Sequence, residues 1–197
     1  MSTKPVSLPE VSSISTFSAN NITVHFPTPY PKILNRFRAL VPALQPPGIL
    51  RTQPNAEAVT DLIKSTNTPS DFVCFAEFDH GSWLHHFLPP SEGSASESGT
   101  GRRVHRFLFG NPLLAAAMIK ESIYAGTHVP LDCGFVEEED GSATMVMVLP
   151  LAGLAGIYAG EESGRVDVEK KERLDRAVGE VEGKVWGLIS MLQEGNE

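Results

Sequence analysis

The sequence has little basic charge, only two cysteines and no long hydrophobic run. Its 197 residues contain 16 Lys and Arg against 24 Asp and Glu, so the net charge at pH 7 is −8. An acidic chain repels nucleic-acid phosphates and anionic lipids, and neither is expected as the main partner. No apolar run reaches the length of about 18 residues that a membrane-spanning helix needs. The first thirty residues also lack a basic segment followed by an apolar one, so no secretory signal is expected.

The scarcity of cysteine bears on the compartment and on the chemistry. Cys74 and Cys133 each lie in an apolar stretch typical of a buried strand. Free buried thiols are favoured over a disulfide, which predicts a reducing, cytoplasmic location. Neither the glycine patterns of nucleotide-binding loops nor the G-x-S-x-G nucleophile motif occurs. The sequence therefore gives little support for nucleotide binding or nucleophilic catalysis.

What is present is the pattern of one α+β domain. Residues 1–19 are rich in Ser and Pro without periodicity and predict a flexible N-terminal segment, followed by a single domain over residues 20–195. Residues 89–101 are rich in Ser and Gly and predict a mobile loop. Short links between the strands favour a mostly antiparallel sheet. Alternating or apolar stretches predict strands at Ile22–Phe26, Asp71–Asp79, Arg103–Phe109, Leu131–Glu138 and Ser142–Leu149.

Segments with helical periodicity lie between these strands. The predicted order is one strand, a helix, four strands and a closing helix. An apolar stripe predicts a helix from Ile33 to about Leu44, and Asn55 precedes a weaker helix at Ala56–Lys64. Asp140-Gly141 between two apolar runs predicts a hairpin turn. A long amphipathic helix is predicted over Val166–Leu192.

Three glycines recur every fourth residue within that last helix, at Gly179, Gly183 and Gly187. Each costs about 1 kcal/mol relative to Ala in a helix interior. We therefore expect another backbone to approach this column closely, as in a homodimer.

Several segments occur in an order that resembles a known family. They are the aromatic strand ending at Asp79-His80, the run RVHRFLFGNP at Arg103–Pro112, and Pro130-Leu131 before a hairpin closed by Pro150. Together they resemble the family named domain of unknown function 302, and in size its fungal-type members. The resemblance covers Ala19 to Ala159. It implies a TATA-binding-protein-like α+β fold, with a curved, mostly antiparallel sheet that grips helices, often as a homodimer. It implies no established reaction.

Histidines and carboxylates are the candidate catalytic groups. If the Asp71 and Arg103 strands are neighbours, His105 approaches His80, with Glu77 nearby. A His–carboxylate pair in an apolar cleft shifts a pKa into a useful range, so the candidates are His80, His105 and Glu77. The alternatives are hydrogen bonds within the sheet and a surface salt bridge. The spacing of His80, His85 and His86 matches no established ligand motif, and no metal or cofactor is predicted.

Aromatic and methionine side chains exceed what one small sheet face needs. Such side chains line pockets for apolar small molecules, which predicts a pocket here, although the same residues more often form ordinary core. Alternation places Phe75 with Glu77 on one strand face, and His105 with Phe107 on one face of another. The predicted wall residues are Phe75, His80, Trp83, His105 and Phe107. The predicted function is apolar-ligand binding, and the alternative is a cofactor-independent isomerase, cyclase or lyase. The set of apolar residues comprises Phe72, Phe75, Phe78, Trp83, Phe107, Phe109, Phe135, Met145 and Met147.

Overall fold

The computed structural model describes residues 16–84, 86–87, 102–151, 153 and 167–194. The predicted loop at 89–101 and residues 1–15 of the predicted N-terminal segment lie outside this part of the chain. Residues 16–19 carry no regular secondary structure.

Five antiparallel strands form one open sheet. The strands are β1 (Asn20–Phe26), β2 (Val73–Asp79), β3 (Val104–Gly110), β4 (Leu131–Glu137) and β5 (Ala143–Leu149). Their order in the sheet is β1-β5-β4-β3-β2, so β1 and β2 are the edges, and β4 and β5 form a hairpin. This arrangement confirms the α+β class and the antiparallel pairing expected from the sequence.

The helices connect the strands and close the chain. The long C-terminal helix is confirmed, beginning in the described residues at Val168. Short 3-10 helices lie at Ile49–Thr52 and Ile123–His128. None of the helices in the described part of the chain combines the length and the apolar character needed to cross a bilayer. The α-helices are α1 (Tyr30–Leu40), α2 (Ala56–Thr66), α3 (Gly81–Leu84), α4 (Pro112–Glu121) and α5 (Val168–Glu194).

The core lies between one face of the sheet and the helices. Phe37 of α1 packs on Phe107, Phe109 and Phe135, with ring centroids 4.7, 5.7 and 5.0 Å away. All four rings are buried. Burial of each is worth about 2–3 kcal/mol, so this aromatic cluster fixes α1 against β3 and β4.

Two local predictions are confirmed. Gly141 adopts a φ of 81° in the turn between β4 and β5, a conformation that glycine reaches without strain. Cys74 and Cys133 are free and buried. Burial raises the pKa of both thiols, which keeps them protonated.

A bulge in β2 overturns the expected alternation along that strand. Cys74 pairs with Phe109 but Ala76 pairs with Leu108, so Phe75 is an extra residue. Beyond the bulge, Glu77 pairs with Phe107 and therefore shares the core face with Cys74. Strict alternation would place Cys74 and Glu77 on opposite faces of the sheet, and the extra residue shifts the strand by one position so that they share one face.

Candidate functional site

The first candidate region is a polar cluster around His105 on β3. His105 lies opposite Asp79 in the β2–β3 register, and the bulge places Glu77 on the same face. The Nε2 atom of His105 lies 3.5 Å from Oε1 of Glu77 and 3.7 Å from Oδ1 of Asp79. The predicted His–carboxylate proximity is therefore present, and the strand register produces it.

Tyr30, the first residue of α1, completes the cluster from the helix side. Its hydroxyl lies 2.8 Å from Nδ1 of His105 and 3.4 Å from the carbonyl oxygen of Phe135. Burial raises the pKa of Tyr30 well above its ordinary range, so the hydroxyl keeps its proton. The carboxylates of Glu77 and Asp79 favour the proton of the neutral imidazole on Nε2, and with that tautomer Nδ1 accepts the hydrogen bond from the phenol.

The charge state of His105 follows from its surroundings. Burial lowers the pKa of the imidazole, and the nearby Asp79 and Glu77 carboxylates oppose this change without reversing it. The ring is therefore neutral at pH 7. Glu77 is held by Arg38, whose Nη2 donates to Oε1 over 2.5 Å.

A second arginine closes the cluster on the other side. Arg103 stacks over the Tyr30 ring, with Cζ 5.0 Å from its centroid. The same guanidinium donates two hydrogen bonds to Glu137, at 2.8 and 2.7 Å. Burial alone raises the pKa of Glu137, but the hydrogen bond and charge of Arg103 outweigh this, and the net pKa lies below the ordinary value. This ion pair fixes the start of β3 against the end of β4.

His80 and Trp83 occupy a third place, where the chain leaves β2. The His80 ring packs edge-on against Trp83, with centroids 5.8 Å apart. Trp83 is 48% exposed and contacts Phe87 in the same edge-on manner. These rings form an exposed aromatic rim at the end of the sheet.

The second candidate region is an apolar cavity of about 350 Å³ at the opposite end of β3. It lies between α4, α5 and the strand ends near Gly110, about 17 Å along β3 from His105. Its lining is almost entirely apolar. The residues around it are Leu50, Phe72, Phe75, Gly110, Asn111, Pro112, Leu114, Ala115, Met118, Val129, Pro130, Leu131 and Val181.

The segment Gly110-Asn111-Pro112 shapes one wall of this cavity. Asn111 caps α4 by accepting the Leu113 N–H at 2.8 Å, and its Nδ2 donates to the carbonyl of Asp71 at 2.8 Å. Pro112 begins the helix, where its missing N–H costs nothing. The Phe75 ring packs beside Gly110, where a Cβ would lie 3.4 Å from Phe75 Cε2, at the near limit of ordinary contact. The three residues thus join β3 to α4 next to the aromatic wall.

A second cleft, of about 460 Å³, adjoins the cavity. Leu50 and Phe75 line both spaces. The remaining walls come from the segment before and within the first 3-10 helix. They are Leu44, Pro47, Gly48, Ile49 and Arg51.

The residues proposed from the sequence therefore fall in different places. Phe75 lines the cavity, His105 and Glu77 belong to the polar cluster, and Phe107 is 1% exposed within the core. Sequence reasoning missed the cavity walls from α4 and α5, because Leu114, Met118 and Val181 carry the same apolar signal as ordinary core residues. Among the described residues, no three His, Cys, Asp or Glu side chains are grouped as metal ligands.

Comparisons with known proteins give a family and a structural match. A family model described as domain of unknown function DUF302 matches residues 50–181. No curated protein matches the chain. The crystal structure of the uncharacterized conserved protein DUF302 from Bacillus stearothermophilus superposes with a TM-score of 0.47 at 14% sequence identity, covering 88% of this chain and 98% of that one.

Proposed function

Because the chain belongs to the DUF302 family, whose function is unknown, we propose a function from the site geometry: the protein binds an apolar small molecule in the cavity beside α4. The proposed ligand lies among Phe75, Leu114, Met118 and Val181. The volume of the cavity, about 350 Å³, falls in the range of small-molecule pockets.

The observation that carries the proposal is the chemistry of the cavity wall. Asn111 is its one polar side chain, and both ends of that amide are already hydrogen-bonded within the protein. Water in such a space finds few partners, whereas an apolar ligand gains about 25 cal/mol for each Å² of apolar surface removed from water.

The proposal is tested by filling the cavity. Ala115→Phe places a ring in the space from α4. We expect it to abolish the fluorescence increase that the neutral dye Nile red shows with the wild type, while the midpoint of thermal unfolding is retained. Ala116→Phe, on the same helix but outside the cavity lining, is the matched control and should keep dye binding.

Two results oppose the proposal. Failure of the wild type to bind Nile red at micromolar concentration would leave the cavity without affinity for apolar molecules. Equal dye binding by Ala115→Phe and the wild type would place the dye elsewhere on the protein.

A second candidate function is cofactor-independent proton transfer, of the isomerase, cyclase or lyase kind, at His105. The neutral imidazole between Tyr30 and the Glu77 and Asp79 carboxylates favours it, because such a group can accept and return a proton. Native mass spectrometry of the purified protein and of His105→Ala distinguishes the two functions. Because the product of an isomerase or cyclase can have the mass of its substrate, the released species are also compared by chromatography. The same compound from both proteins supports binding alone, and a different compound from the variant supports turnover. A catalytic role for His80, the other histidine candidate, stays a prediction, and this residue lies at the aromatic rim.

We also propose a homodimer formed through α5. The surface beside Gly179, Gly183 and Gly187 is open, because a Cβ built at each of them would meet no described atom within 4 Å. Trp186, beside this column, is 49% exposed. An exposed indole next to a flat glycine column suits the same column of a second copy. Light scattering that gives only the 21.3 kDa monomer at tens of micromolar would refute this assembly.

Three finer points complete the proposal. Two buried free thiols support a cytoplasmic location. The resemblance in sequence supports a fungal-type member with the sheet curvature of a TATA-binding-protein-like fold. The Ser- and Gly-rich composition of residues 89–101 supports a mobile loop.

A further inference from the structure

The cavity and the cleft beside it share two wall residues but differ in chemistry. The cavity is apolar, whereas the cleft adds one charged side chain, Arg51. Leu50 and Phe75 stand between the two spaces. A molecule that extends past these side chains would therefore meet an apolar environment at one end and a cation at the other.

Arg51 has no carboxylate partner among the described residues, although the chain has an excess of acidic groups. Several other arginines are paired, among them Arg38 with Glu77, Arg103 with Glu137, and Arg106 with Asp132. Arg36 and Arg176 also have no carboxylate partner in the described part of the chain, but neither lines the cleft. Arg51 is exposed in the last turn of the 3-10 helix that forms the cleft wall, so its guanidinium is available to an anion.

We propose that the ligand is an anionic amphiphile: its apolar chain occupies the cavity and its carboxylate, or a comparable head group, pairs with Arg51 in the cleft. This inference rests on the proposed function and specifies the class of ligand. The apolar chain supplies most of the affinity through burial, and the Arg51 pair supplies the preference for an acid over the corresponding alcohol.

The cleft has the shape that this arrangement requires. Gly48 adopts a φ of 80°, and a Cβ built there would meet nothing within 4 Å, so the space around the head group is open. The Gln53 amide donates to the carbonyl of Ile49 at 3.0 Å and holds the 3-10 segment that carries Arg51. The charged wall is therefore part of an ordered segment of the fold.

The test compares decanoate with decanol as competitors that displace Nile red from the full-length protein. At neutral pH decanoate is charged and decanol is not, while their apolar chains are alike. We expect the wild type to prefer decanoate, and Arg51→Ala to weaken decanoate by about fivefold with decanol unchanged. Arg51→Lys should restore part of the preference. Arg176→Ala, an exposed arginine on α5 outside both spaces, is the matched control and should behave as the wild type.

The outcomes separate this inference from the proposed function. Equal displacement by decanoate and decanol in both the wild type and Arg51→Ala would overturn the amphiphile inference and leave apolar-ligand binding standing. Failure of the wild type to bind Nile red or decanol would overturn both. A decanoate preference that persists in Arg51→Ala would assign the head group to another cation and refute the role of Arg51.

Discussion

At the scale of single residues, the polar cluster depends on a contact between residues 75 positions apart in the chain. The Tyr30 hydroxyl donates to Nδ1 of His105 at 2.8 Å, and Tyr30 is fully buried. No local pattern in the sequence marks Tyr30 as a partner of a histidine. The approach of Glu77 to His105 was predictable only on the assumption that two strands pair. The contact of His105 with Tyr30, on the helix side, was not predictable.

Removing the Tyr30 hydroxyl should destabilise the fold. Tyr30→Phe leaves Nδ1 of a mostly buried imidazole without its donor, and we expect a loss of about 1–3 kcal/mol in the free energy of unfolding. Urea denaturation with an unchanged m-value checks it. Tyr124→Phe, at an exposed tyrosine, is the control and should change stability much less. Equal effects of the two substitutions would mean that the hydrogen bond contributes nothing.

The lowered pKa of His105 predicts how stability depends on pH. Its ordinary value is 6.5, and burial lowers it in the folded protein. Below pH 6.5 the unfolded chain therefore binds a proton before the folded protein does. This contribution to stability is complete above pH 6.5 and is lost as the pH falls through the folded pKa.

Denaturant unfolding between about pH 7.5 and about pH 5 measures this effect. His105→Gln should flatten the decline, because glutamine does not titrate. The Arg103–Glu137 pair acts in a separate window: the pKa of Glu137 is lowered from 4.5, so its contribution is lost only at more acidic pH. An identical pH profile for the wild type and His105→Gln would contradict the role given to His105.

At the scale of elements, strong periodicity and turn chemistry were sufficient to predict helices, strands and the hairpin turn. Irregular features of the fold could not be predicted in this way. The Asp140-Gly141 turn and the existence of α1 depend on local residues and were found as expected. The helix ends at Leu40, before the predicted Leu44, because Pro42 lies directly after its C-cap residue, Val41. The bulge at Phe75 was not foreseen, because an extra residue in an aromatic strand leaves the composition unchanged. The cavity was not foreseen either, since its walls come from the ends of several elements.

The junction between β3 and α4 offers a prediction at this scale. Asn111→Ala removes both the cap of α4 and the bond to the Asp71 carbonyl, and we expect a loss of about 1–2 kcal/mol. Asn111→Asp keeps an oxygen for the cap but loses the donor to Asp71. It should therefore be less destabilising than Asn111→Ala in the same unfolding assay. If aspartate is as harmful as alanine, the link to Asp71 and not the cap is what stabilises this junction.

At the scale of the whole molecule, the fold class followed from the order of elements, but the site did not. Five stretches of apolar or alternating residues and the helices between them specify an antiparallel sheet with helices. The residues proposed for one pocket are instead spread along β3, from the polar cluster to the cavity. Sequence alone does not give the distance between two such regions, because it depends on how α1 and α4 pack on the same sheet.

Residues 89–101 provide a test of domain organisation. These residues lie outside the described part of the chain. Their Ser- and Gly-rich composition offers little apolar surface to offset the entropy cost of ordering. We expect limited proteolysis to cut there first and to leave two fragments that stay associated. First cleavage within β2 would contradict both this expectation and the stability of the edge strand.

The extra residue in β2 also separates the inheritance of two distant properties. Loss of the single codon for Phe75 would remove the bulge and an aromatic wall of the cavity, whereas Glu77 would keep its pairing with Phe107 and its place beside His105. A ligand preference would then change in one mutational step while the proton-binding property stayed the same. In this chain, lineages can therefore diverge in the cavity through a change in the length of β2 without altering the polar cluster.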